Sequence, residues 1–76
     1  GALIRVNMDR LAAGIATEFW YNPRTGKWRT GEADTDAKTP FQTALKSGKG
    51  SAPQYFDPPG APADANDWVL VLEINE

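Results

Sequence analysis

The chain has 76 residues, enough for one small domain with a thin core. It contains no cysteine and no histidine, which excludes disulfide bonds, thiolate or imidazole metal ligands, and Ser-His or Cys-His catalysis. The formal net charge of -2 lacks the basic excess of a nucleic-acid-binding protein, and no apolar stretch is long enough for a membrane span. We therefore expect no cofactor, no nucleic-acid partner and no membrane partner.

Two strands are predicted in the first third of the chain. Residues 3–10 alternate between apolar and polar side chains, which is the period of a half-buried strand. Residues 15–21 are rich in aromatic and β-branched types, which also favour a strand. Both faces of this second strand carry bulky side chains, so the alternation leaves open which face is buried.

A turn and a return strand are predicted directly after the second strand. Pro23 presets the backbone for the first corner position of a type I turn, and the Asn22 side chain can bond the backbone two residues on. Gly26 can adopt the positive φ that closes a longer hairpin loop. Residues 27–30 are then predicted as the second strand of a β-hairpin.

A short helix is predicted over residues 39–48, after a polar loop at 31–38. Thr39 and Gln42 have the spacing of a helix capping box, and Gly48 suits the C-terminal cap. A helix this short is marginal alone, so it would need tertiary contacts to form.

The C-terminal part of the chain is predicted to hold two more strands. Residues 54–57 form a short strand, and the Pro-rich residues 58–67 form a loop. Residues 68–74 carry apolar side chains on both faces, which predicts a central strand in a two-layer core. The chain is therefore predicted to be all-β: a small antiparallel β-sandwich with one short helical turn, with a half-barrel as the alternative.

Carboxylates in polar loops are the candidates for catalysis or metal binding. Asp34 and Asp36 form one pair, and Asp64 and Asp67 form another. A glycosidase needs two carboxyl groups that face each other across a cleft, and a calcium site needs a fuller set of oxygen ligands in one loop. Neither pair meets these requirements. We interpret both as solvated loop acids and predict no catalytic residue and no metal ligand, calcium being the stronger alternative.

Aromatic residues around the hairpin are the candidates for ligand binding. Trp20, Tyr21 and Trp28 flank the hairpin tip, and Arg24 adds a cation with a fork of donors. Exposed rings stack on sugars and extended peptides, so these four residues form the predicted ligand-binding set. The alternative is that the rings hold the two strands of the hairpin together through cross-strand contacts. Trp68, by contrast, leads an apolar strand face and is predicted to lie in the core.

Three motifs together resemble a known family. They are "WYNPRTGKW" at 20–28, "FDPP" at 56–59 and "NDWVLVLE" at 66–73. In this order they resemble the family described as the putative collagen-binding domain of a collagenase, and the resemblance extends over residues 3–74. The first motif also resembles part of a WW domain, but the upstream Trp that begins a WW domain is absent.

The resemblance implies both a function and a setting. Members of this family are C-terminal β-sandwiches of secreted bacterial proteins whose larger part resembles a glycoside-hydrolase TIM barrel. The chain is then expected to be a non-catalytic accessory domain, secreted or periplasmic, that packs on its own catalytic barrel in cis. The alternative is a ligand-binding module for a glycan or a collagen-like protein.

The resemblance also implies what the chain lacks. The family usually has an extra strand ahead of the one predicted at 3–10, and we expect this chain to begin too late to contain it. The sequence begins with Gly1 rather than with methionine, so we expect one domain excised from a longer protein. No catalytic residue carries over, because the chemistry would belong to the barrel.

Overall fold

The computed structural model describes residues 3–59 and 68–75 and shows an antiparallel all-β domain, which confirms the predicted fold class. No helix in this part of the chain is long and apolar enough to cross a membrane. The described residues form seven strands and one turn of 3-10 helix. In chain order the elements are β1 (Ile4–Val6), the 3-10 turn (Met8–Arg10), β2 (Gly14–Asn22), β3 (Lys27–Thr30), β4 (Ala33–Thr35), β5 (Gln42–Ser47), β6 (Gln54–Phe56) and β7 (Val69–Asn75).

β2 is the central strand of a five-stranded sheet. It pairs with β7 along one edge, while β5 and β3 pair with the two halves of its other edge. The expectation that residues 68–74 form the central strand is therefore wrong, since among the described strands β7 pairs with β2 alone. The apolar side chains on both faces of β7 therefore need an explanation other than burial in a central strand. Val69 and Val71 lie opposite Tyr21 and Phe19, so they extend an aromatic patch on one face of the sheet.

The core lies between this sheet and a second sheet formed by β1 and β6. We call the face of the five-stranded sheet toward this core the inner face and the opposite face the outer face. Leu70 and Leu72 on β7 pack against the core as predicted, although both are only half-buried. The buried side chains of the core are Met8, Ala16, Trp20, Leu45 and Phe56.

The helix predicted over residues 39–48 is wrong, because this segment is mostly strand. β5 pairs antiparallel with β2, and the Phe41 amide donates to the Glu18 carbonyl at 2.8 Å. The ladder shifts register at this point, and Ala44 adopts a φ of 64°. Strand pairing prevails because a helix of this length is marginal, whereas pairing satisfies the backbone and buries Leu45 in the core.

Two further segments differ from the sequence prediction. The strand predicted at 3–10 ends at Val6, and the 3-10 turn that follows still buries Met8. The polar segment 31–38 contains β4, which pairs with β3. Residues 60–67 of the predicted loop lie outside the described residues. The strands predicted at 15–21, 27–30 and 54–57 are confirmed.

Candidate functional site

The hairpin between β2 and β3 closes as predicted. The Asn22 carbonyl accepts hydrogen bonds from the amides of Thr25 and Gly26, at 3.2 and 2.8 Å. The Asn22 side chain accepts a further bond from the Arg24 amide at 3.0 Å. Gly26 has a φ of 72°, the positive value that favours glycine at the closing position of the loop. The residue types of this corner are therefore explained by the turn itself.

The four residues predicted to bind ligand lie on different surfaces. Trp20 is fully buried on the inner face, so it presents no surface to a ligand in this conformation. Tyr21 and Trp28 lie opposite each other on the outer face, with ring centroids 4.9 Å apart. Arg24 is exposed at the hairpin tip. The structure brings Tyr21 and Trp28 together, and the ligand-binding role of the set stays a prediction.

We call the side chains of Phe19, Tyr21 and Trp28 the outer-face rings, and the side chain of Lys38 lies over two of them. Phe19 packs edge-on against Trp28, with ring centroids 5.9 Å apart. The Lys38 Nζ lies 4.7 Å from the centre of Phe19 and 5.7 Å from the centre of Trp28, and it also pairs with the Glu73 carboxylate. Phe19 is only 6% exposed although it lies on the outer face. These contacts are more consistent with rings that hold the strands of the sheet together than with an exposed surface that binds a ligand.

An open cleft lies where β6 faces the end of β3 and the start of β5. Its volume is about 510 Å³. Three aromatic residues line the cleft: Tyr55 is 58% exposed, Phe41 is 37% exposed, and Phe56 is buried. The lining also includes a set of charged residues and prolines, namely Glu18, Arg29, Glu32, Asp57, Pro58 and Pro59. The cleft therefore combines apolar surface with several polar groups.

Glu18 is the buried carboxylate of this lining, with only 2% of its surface exposed. Its Oε2 accepts the indole N–H of Trp20 at 2.5 Å, while its Oε1 has no hydrogen-bond partner among the described residues. Burial raises the pKa of the Glu18 carboxyl, and the bond from Trp20 opposes part of that rise. A buried acceptor without a partner is costly, and perturbed groups of this kind cluster at functional sites.

Arg29 is the cation of the cleft lining, and its side chain is already engaged. The Arg29 Nε donates to the Asp34 carboxylate at 2.6 Å. Its guanidinium carbon also lies 5.2 Å from the centre of the Trp68 ring. These contacts join β3 to β4 and to the residue before β7, so we treat Arg29 as part of the cleft wall.

Sequence reasoning missed this cleft because its lining comes from segments far apart in the chain. Phe41 and Tyr55 lie in segments predicted as a helix and a short strand, and nothing in either segment indicates that they meet. The available signal is Glu18, because a carboxylate inside a mostly apolar strand is unusual unless it has a partner.

A comparison with known protein families assigns the chain to one of them. The family model described as "putative collagen-binding domain of a collagenase" matches residues 1–73. The chain belongs to this family. No curated protein and no solved structure shows a significant match. Membership in this collagen-binding domain family supports the role of an accessory binding module rather than that of an enzyme.

The cleft contains part of a motif that carries the resemblance to the collagen-binding domain family. Phe56, Pro58 and Pro59 line it, whereas Trp68 of the third motif packs against the core. Within residues 3–59 and 68–75, no group of three acidic side chains is placed to hold a metal ion. The family description names a ligand class but no residues, so the location of the site rests on the geometry.

Proposed function

We propose that this chain is an accessory binding module and that it binds its ligand in the cleft beside β6. The observation that carries the proposal is the lining of that cleft. It combines a buried Glu18 oxygen that lacks a partner among the described residues with the exposed rings of Tyr55 and Phe41. Ligand sites typically combine apolar and aromatic walls with a few well-placed polar groups. A volume of about 510 Å³ suits one short segment of a polymer.

The proposal includes a setting for the module. The chain is a non-catalytic domain of a secreted or periplasmic bacterial enzyme whose catalytic part is a glycoside-hydrolase-like TIM barrel. The family description supports an accessory binding module. The barrel and the secreted bacterial setting rest on the resemblance that the three sequence motifs carry. Binding by the module would hold the enzyme on its polymer and raise the effective concentration of substrate at the barrel.

A second role, packing on the catalytic barrel in cis, is favoured by the exposed apolar surface of the N-terminal segment. Leu3 is 59% exposed and Ile4 is 37% exposed. An interdomain contact would cover such side chains. Hydrogen–deuterium exchange of β1, compared between this chain and the full-length protein, tests the role. Protection of β1 in the full-length protein supports packing, and unchanged exchange contradicts it.

A titration followed by calorimetry tests the binding role. The ligands are soluble oligosaccharides and a triple-helical collagen-like peptide. Tyr55→Ala removes an exposed ring from the cleft, and Val69→Ala removes another exposed apolar side chain, from β7, as the matched control. We expect saturable binding of one ligand class that Tyr55→Ala weakens and Val69→Ala leaves unchanged. Absence of saturable binding, or equal weakening by both variants, would contradict the proposal.

A further inference from the structure

The charged groups of the cleft are mostly hydrogen-bond acceptors. Its described lining contains three carboxylates, Glu18, Glu32 and Asp57, and one cation, Arg29. The Arg29 Nε is already bonded to the Asp34 carboxylate. A ligand that suits this lining must therefore bring hydrogen-bond donors, and a negatively charged ligand would be repelled.

Glu18 is the acceptor that gains most from a ligand donor. Its side chain is almost fully buried, and its Oε2 already accepts the indole N–H of Trp20. Its Oε1 has no hydrogen-bond partner among the described residues. A donor that reaches Oε1 would satisfy a buried acceptor, and hydrogen bonds to ionised acceptors are stronger than neutral ones. Because Glu18 lies on the central strand, the position that the donor must occupy is well fixed.

We infer that the cleft binds a short stretch of neutral, hydroxyl-rich glycan, one hydroxyl of which donates to the Oε1 of Glu18. This inference rests on the proposed function, since it names the ligand class of the same cleft. The apolar faces of the sugar rings pack against Tyr55 and Phe41, which are exposed at the edge of the cleft. Further hydroxyls donate to Glu32 and Asp57.

Two other ligand classes suit this lining less well. A collagen-like segment offers no backbone donor at proline, its glycines face the axis of the triple helix, and hydroxyproline supplies at most one hydroxyl per Gly-X-Y triplet. An acidic glycan would place its charges beside three carboxylates. A neutral sugar carries several hydroxyl donors on each ring and no charge, so it matches the excess of acceptors.

Titration calorimetry on the 76-residue chain tests the inference. The probes are neutral gluco- and xylo-oligosaccharides, an acidic galacturonate oligosaccharide and a triple-helical collagen-like peptide. Glu18→Gln keeps the shape of the side chain and an oxygen for the Trp20 N–H, but it replaces the second acceptor with an amide donor. Asp9→Asn makes the same change of charge at an exposed position outside the cleft lining and serves as the control.

We expect a neutral oligosaccharide to bind and its affinity to fall by about tenfold or more in Glu18→Gln, because a hydrogen bond to a charged group is lost. Asp9→Asn should leave the affinity nearly unchanged. Thermal melts verify that the variants are folded. If Glu18→Gln does not fold, Glu18→Asp replaces it, because the shorter side chain withdraws the acceptor by one methylene and should cause a similar loss.

The possible results separate this inference from the proposed function. Preference for the collagen-like peptide or the acidic oligosaccharide overturns the inference, but the proposed function stands if Tyr55→Ala weakens that binding. Unchanged affinity of Glu18→Gln for a neutral oligosaccharide also overturns the inference. Absence of saturable binding by every probe overturns both.

Discussion

The indole N–H of Trp20 donates to the carboxylate of Glu18, two residues earlier on the same strand, at 2.5 Å. Alternate residues of a strand project from the same face, so this bond links a fully buried core residue to the lining of the cleft. Small domains have a narrow stability margin. The Oε1 of Glu18, which has no hydrogen-bond partner in the described part of the chain, lowers that margin. A ligand donor at Glu18 would offset this cost.

Glu18→Gln is expected to raise the free energy of unfolding near neutral pH by about 1 kcal/mol. The substitution removes a buried charge whose Oε1 has no hydrogen-bond partner among the described residues. Burial raises the pKa of the wild-type carboxyl above its ordinary value of 4.5. Between that value and the raised one, the folded state holds more protons than the unfolded state. Wild-type stability therefore falls as the pH rises through this range. Urea denaturation of both proteins at several pH values measures the difference.

The advantage of Glu18→Gln over the wild type should shrink as the pH falls toward 4.5, because the wild-type carboxyl is then protonated in the folded state. Glu32→Gln, at an exposed position, is the control and should show no such gain. A variant that is less stable than the wild type, or an advantage that stays constant with pH, would show that the buried charge is not what limits stability here.

Gly26→Val is expected to lower the free energy of unfolding by more than about 1 kcal/mol. The φ of Gly26 is 72°, which a β-branched residue resists, whereas an added Cβ would lie 3.8 Å from the Tyr21 hydroxyl and meet no clash. Gly26→Asn should recover most of the loss, because asparagine tolerates positive φ. If thermal melts show equal losses in both variants, side-chain crowding rather than backbone strain is the cause.

Leu45→Ala is expected to cost on the order of 2–5 kcal/mol, because Leu45 is only 6% exposed and belongs to the core cluster. Leu70→Ala should cost less, since Leu70 is half-buried at the edge of that cluster. Denaturant unfolding of the two variants gives the comparison. A larger loss for Leu70→Ala would mean that the core is centred on β7 rather than on the contact of β5 with β2.

Lys38→Met is expected to lower the free energy of unfolding by about 0.5–1 kcal/mol, through loss of its contact with the Phe19 ring and of the ion pair with Glu73. Lys27→Met is the matched control. The partner of Lys27 is Asp36, whose side chain is 89% exposed, so that pair should contribute close to nothing. Equal melting temperatures for the two variants would show that Lys38 does not hold the outer-face rings in place.

The hairpin could be predicted from the sequence because its information is local. Asn22, Pro23 and Gly26 act within a few residues, and the bonds they were expected to favour are those that form. The segment 39–48 could not be predicted in the same way. Its helix signals are also local, but its structure depends on pairing with β2, including the bond from the Phe41 amide to a strand distant in sequence.

The site was harder to predict than the fold. The hairpin rings were obvious candidates because they are adjacent in sequence, yet one strand sends Trp20 to the core and Tyr21 to the opposite face. The position of Lys38 over the outer-face rings depends on how the chain returns from β4 to β5, which the polar segment 31–38 does not reveal. The cleft forms only when β6 meets the end of β3 and the start of β5, so Glu18 is the one residue whose sequence context indicates it.

The most direct test of the proposed site is the response of the tryptophan indole N–H signals to ligand in an NMR titration. The chain has three tryptophans, so each signal reports on one location. The Trp20 N–H is bonded to Glu18 in the cleft lining, whereas Trp28 lies among the outer-face rings. With a bound neutral oligosaccharide, we expect a large shift of the Trp20 signal and almost none of the Trp28 signal. A shift confined to Trp28 would contradict the cleft and move the binding site to the hairpin.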